Sequence, residues 1–231
     1  MLLAIEISSM FDPQLQDAFM APSEVFAHKL KAAEFGERED GVMSAAMFDL
    51  VVRAKALKDE GLDVGIVAFN GSKDEVQANR HAHLPGQGPH EAAQAENIFN
   101  AAEEGGYDRV IVLVGNLHAE KVRVAPGGTQ FEPMAVKLAR KGALVSLDMR
   151  DAGGSAWNCQ VGRDFKFEPG KSVPDDAIEC APHPARGHYS TDKGPHMALG
   201  SFPGDETTDR FDGYFWVGPI SASPPAFPKE D

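Results

Sequence analysis

Apolar residues fall along this chain in two alternating rhythms. Leu2 to Ile7 is a short apolar run broken by Glu6, the pattern of a buried strand that delivers a carboxylate to its C-terminal end. Asp12-Pro13 then opens a helix, because proline is tolerated in a first turn. From Ser44, the positions Met47, Leu50, Val51, Ala54 and Leu57 recur at helical spacing, with Lys55, Lys58 and Glu60 on the other side and Gly61 as a stop. That helix feeds Val64-Gly65-Ile66-Val67-Ala68-Phe69, a continuous apolar strand ended by the turn pair Asn70-Gly71. The next helix is expected from about Glu91 through Ile98 and Ala102 to Gly105, followed by a buried strand at Val110 to Val114. A third repetition starts a helix at Pro133, ends it at Gly142 and places a strand over Ala143 to Leu147; Phe215-Trp216-Val217 reads as an added edge strand.

Helices alternating with fully apolar strands predict βαβ units, hence the α/β class: an open, largely parallel sheet flanked by helices. Residues 1–231 read as a single domain, with a loop-rich insertion at about 152–210 where Gly, Pro, His and charge replace periodicity. No internal repeat is visible.

Thirty-five acidic against 22 basic side chains give a formal charge of -13, so the averaged field repels phosphate backbones and anionic lipid, and nucleic acid is not an expected partner. No stretch approaches the roughly 20 apolar residues of a membrane helix, so the chain reads as soluble with no membrane span. Cys159 and Cys180 are equally compatible with a bridge in an exported protein and with two free thiols in a cytosolic one, which leaves periplasm and cytoplasm both open. The start, Met1-Leu2-Leu3-Ala4-Ile5-Glu6, has no basic n-region or cleavage site. It reads as a strand already under way, which points to a chain shortened at its N-terminus. A sheet shortened in that way exposes unpaired backbone, for which a homo-dimer is one cover.

In open parallel sheets, ligands bind outside the carboxyl ends of the strands. Glu6, Asn70 and His118 fall at such ends and are expected to converge on one rim, with Gly115 allowing a sharp turn and Asn116 a left-handed conformation. An imidazole beside a carboxylate can act as general base towards water. The plainer alternative is a hydrogen-bonded loop histidine and a capping or salt-bridged carboxylate. His81, His83 and His90, and His183, His188 and His196, could hold a metal, but no Cys or carboxylate stands at metal-ligand spacing beside them. Asn97, next to Glu96, could add a polar contact from the inward side of its helix. Gly127-Gly128 is a turn and not a phosphate loop.

At these residues the chain resembles the superfamily of erythromycin esterases, ChaN-type haem-binding proteins and Tiki/TraB-type proteases. The matching stretches are Leu3-Ala4-Ile5-Glu6, Asp40-Gly41 with Ser44-Ala45-Ala46-Met47, Val67-Ala68-Phe69-Asn70, Ala95-Glu96-Asn97-Ile98, Gly115-Asn116-Leu117-His118-Ala119, and Phe211-Asp212-Gly213 with Ser223-Pro224-Pro225. The resemblance implies a polar pocket in which Glu6 and His118 are the catalytic carboxylate and imidazole, facing a small-molecule ester, a haem or a peptide. Asp40, Asn70, Asn97, Gly115 and Asn116 are then ligand-binding residues. It also implies a preceding strand with a Gly-Glu-x-x-His-Gly run, absent here. Asp40-Gly41-Val42 stands where relatives show Asp-Gly-Arg, His90-Glu91 where they show Arg-Asp, and Asn70 where an Asp is common. The expectation is a hydrolase-like protein acting on an ester or peptide. The alternatives are a haem- or divalent-metal-binding protein and a catalytically degenerate member.

Overall fold

The computed structural model describes residues 1–31, 40–162, 165–166, 173–174, 177–187, 193–206 and 209–227; His188 lies outside them. At its centre is β1 (Leu2–Ser8), which pairs in parallel with β2 (Gly65–Asn70) on one side and β3 (Val110–Leu113) on the other. Side chains alternate across a strand, and β1 serves two cores accordingly. Leu3, Ile5 and Ile7 pack with Leu15 and Phe19 of α1 (Asp12–Met20), Phe26 and Leu30 of α2 (Ser23–Leu30), and Val51 and Ala54 of α3 (Ala45–Asp59). Leu2 and Ala4 pack on the opposite face with Val67 and Phe69 of β2, Ala95 and Ile98 of α5 (Gly88–Gly105), and Met134 of α7 (Met134–Leu138). Between β2 and α5 lies α4 (Glu75–His81). Helices thus cover both faces of a parallel sheet, as the alternation of periods predicts.

The remaining strands form separate sheets. β4 (Leu147–Arg150), β8 (Gly213–Trp216) and β7 (His196–Leu199) are ordered β4-β8-β7, so the expected edge strand near Phe215 is the central one. Within 152–210, where the sequence shows no period, β5 (Gly154–Val161) and β6 (Ile178–Ala185) pair antiparallel, and a Cys159–Cys180 disulfide joins directly opposed residues.

Three expectations shift. The strand foreseen at Ala143–Leu147 starts at Leu147, because pairing to β8 begins at Leu147↔Gly213 and the apolar residues before it have no strand beside them among those described. β3 was expected to be buried, yet Val110, Ile111 and Leu113 are exposed. The buried stripe of α3 is rotated towards Lys55, whose ammonium pairs with Asp59, while Leu50 faces outward. Among the described residues no helix is long and apolar enough to cross a membrane.

Candidate functional site

Glu6 continues the even-numbered face of β1, the one that packs on α5. The ladder to β3 ends at Ile5↔Leu113 and the register to β2 shifts between Ile5 and Ser8, so Glu6 sits where the strand leaves its partners. Its Oε2 accepts a hydrogen bond from the Gly115 N–H at 2.8 Å, just beyond β3. Gly115 is the N-cap of α6 (Asn116–Ala119), the short turn that carries His118.

His118 lies between two carboxylates. Its Nδ1 is 2.7 Å from Glu91 Oε1, and its Nε2 is 3.6 Å from Glu6 Oε1. A carboxylate only accepts, so Nδ1 carries the proton shared with Glu91, and the neutral ring leaves Nε2 with its lone pair on the Glu6 side. Glu91 is fully buried in the first turn of α5, and its Oε2 accepts from the Met134 N–H at 2.7 Å. Burial alone disfavours a charged His118, but the hydrogen bond to Glu91 and the charges of Glu91 and Glu6 outweigh it and raise the imidazole pKa above its usual value.

A second ring stands beside the first: His90, one residue before Glu91, has its centroid 5.8 Å from that of His118. Burial pushes its pKa down, with the nearby His118 adding to the effect and Glu91 and Glu6 opposing it. The Gln94 amide nitrogen lies 3.0 Å from His90 Nε2 and donates to Asn70 Oδ1 at 2.9 Å. The lowered pKa keeps the His90 ring towards neutral imidazole, whose Nε2 can accept from the Gln94 amide. The two histidines are set apart, one towards imidazolium and one towards imidazole.

Glu6, His118 and Gly115 are thus brought together, and Asn70 joins them through Gln94. Asn97 does other work: its Nδ2 donates to the carbonyls of Phe69 and Gly71 while its Oδ1 accepts from Gln77, which pins the end of β2. Asp40 caps the 3-10 turn Gly41–Met43 by accepting from Val42 and Met43 N–H. Neither Gly115 nor Asn116 bends the chain as expected. Gly115 has φ -61, ordinary extended backbone, and Asn116 is exposed as the first residue of α6, because the helical turn begins at once and needs no left-handed residue.

The residue missed from sequence is Glu91, read there as a departure from a family pattern. The signal was present: Glu91, Gln94, Ala95 and Ile98 lie at helical i, i+3, i+4, i+7 spacing, so Glu91 stands on the apolar stripe of α5. His81, His83 and His90 do not assemble into one cluster, and of the other set His188 lies outside the described residues. His81 pairs with Glu96, His83 caps the Arg80 carbonyl, and only His90 of the first set reaches the site. Among the described residues no group of three His, Cys, Asp or Glu side chains is placed to hold a metal ion.

A likeness among solved structures bears on the fold that carries these residues. An erythromycin esterase, the EreC mutant in its open conformation, superposes with a TM-score of 0.59 over 100% of this chain and 84% of that one, at 10% sequence identity. The chain resembles that esterase in fold. At this identity the likeness speaks for architecture alone, and it carries nothing about ChaN-type or Tiki/TraB membership. No protein-family model matches the chain, and no curated protein matches it significantly.

Proposed function

We propose that the protein is a hydrolase that activates water with His118. The observation that carries this is the split environment of one imidazole: Nδ1 tied to a fully buried carboxylate, Nε2 turned to the partly exposed side where Glu6 stands. Glu91 fixes tautomer and ring orientation, as a buried acid does for a catalytic histidine. With an ester or peptide substrate, the water oxygen bonds to the carbonyl carbon while Nε2 takes the water proton. Glu91 and Glu6 stabilise the imidazolium so formed. When the carbonyl re-forms, the bond to the leaving oxygen or nitrogen breaks and Nε2–H returns its proton to it. His90, neutral beside the imidazolium, adds no competing charge. The fold likeness to an erythromycin esterase supports an ester as the first substrate to try.

The test is hydrolysis of a panel of neutral esters, erythromycin included, by the chain and by His118→Ala. Loss of one acid–base group should lower kcat/KM by about 10²–10⁴-fold. Equal turnover in both proteins, or none in either, removes the proposal.

A further inference from the structure

A cleft of about 540 Å³ runs between β3 and β4; two of its walls are sheet edges, and α5, α7 and the segment leading into β4 line the rest. On one wall, the Leu2 N–H donates to the Arg109 carbonyl, and Leu2 is in register with Val110. Peptide groups alternate in direction along a strand, so Ile111 and Leu113 turn theirs towards β1 while Val110, Val112 and Val114 turn theirs away. On the other wall, the Gly213 N–H donates to the Ser146 carbonyl and the Val217 N–H to that of Arg150. Ser146, Asp148 and Arg150 therefore face β8, and Leu147 and Met149 face away from it. All five outward-turned residues line the same cleft. Among the described residues their peptide groups have no backbone partner.

The side chains agree with the backbone. Val110-Ile111-Val112-Leu113 is apolar on both faces, the composition of an interior parallel strand, yet Val110 is 37%, Ile111 54% and Leu113 39% exposed. On the facing wall Val145 and Met149 are exposed as well.

We propose that this cleft is a strand slot, filled by one extended apolar segment of another polypeptide that pairs with β3 and β4 at once. β3 and β4 have four residues each, about 13 Å at roughly 3.3 Å per residue, so the segment is short, about four to six residues. A lipid or other apolar small molecule would leave the outward-turned N–H and C=O groups unmet. A folded second copy of this chain could pair its own edge with one wall and would leave the other bare. The overall charge of -13, with Glu103 and Asp108 against Lys141 on the lining, favours a segment flanked by basic residues. This inference does not rest on the catalytic reading.

The experiment titrates the chain into a dye-labelled synthetic peptide, Lys-Val-Ile-Val-Leu-Val-Lys with blocked ends, and follows anisotropy together with amide hydrogen exchange. Saturable binding is expected, with slowed exchange at Val112, Val114 and Met149. Val112→Pro removes an N–H that points away from β1 and puts a ring in the slot, so it should weaken binding by about tenfold or more while Ile111 keeps its protection. A peptide N-methylated at alternate residues should bind as weakly. Absence of saturable binding overturns the proposal, and so does equal binding of the N-methylated peptide, which marks a merely apolar groove. Protection at the same amides that appears without peptide and grows with protein concentration also overturns it, by showing that copies of the chain cover the edge.

Discussion

The fully buried carboxylate of Glu91 bridges two elements, holding the His118 ring with one oxygen and the Met134 backbone N–H with the other, both at 2.7 Å. Placement of the imidazole and docking of α7 on α5 are thus one interaction seen from two sides. Glu91→Gln separates them. Its amide oxygen can still accept from Met134, so melting should change little, whereas Glu91→Ala strands a buried N–H and should cost about 1–3 kcal/mol in chemical denaturation. In ester hydrolysis Glu91→Gln should move the acidic limb of the kcat/KM profile to lower pH, because burial would then act on His118 with less opposition from negative charge.

Nuclear magnetic resonance of the imidazole protons should find His118 titrating above 6.5 and His90 below it. The signs are opposite for stability. The raised pKa of His118 gives a contribution that is fully present below about 6.5 and lost as pH rises through the folded value. The lowered pKa of His90 makes protonation oppose the fold as pH falls below about 6.5. His90→Gln should therefore flatten the loss of stability on acidification, and His118→Gln should remove the gain on that same side.

Glu132 gathers Arg123, Lys137 and Arg140 around one carboxylate, and its hydrogen bonds, that of Arg140 foremost, hold its pKa at about 2. Its stabilising effect is present above the ordinary pKa of 4.5 and disappears as pH falls through about 2. Glu132→Gln should lower the melting temperature at neutral pH, with the difference from the parent closing between those two limits.

The Cys159–Cys180 bridge closes a loop with a separation of 21 residues. Chain-entropy arguments give such a loop about 3 kcal/mol. Reduction, or Cys159→Ser with Cys180→Ser, should open the β5–β6 hairpin to proteolysis while exchange protection in β1 and β2 persists. Uniform loss of protection across the chain would show that the hairpin and the parallel sheet do not unfold separately.

Much of this was legible in the residues. The apolar runs at Leu2 and Val64 read as buried strands of an α/β layer and are found as β1 and β2, and Glu6 breaks the first run at the position where β1 leaves its neighbours. His118 follows from its place after a strand. Glu91 was harder to see, because a carboxylate in the first turn of a helix has an ordinary role with the helix dipole and reads as exposed until the facing ring is in place. The hairpin was invisible for a different reason. Its strands are mostly half-exposed and interrupted by Pro182 and Pro184, so no period of two emerges; their register is fixed by cross-strand pairing and the covalent bridge. β3 misled in the opposite sense, since its composition describes an interior strand and its position is an edge.

The pleat of β1 acts as a parity check on the site. Inserting one residue between Leu2 and Ile5 would send the acid at position 6 to the side where Leu15, Phe19 and Val51 gather, and would bring an aliphatic group to the ring of His118. A slip of one residue that parts the carboxylate from His118 thus also places a charge among hydrocarbons, so the same error that undoes the pair costs the fold stability.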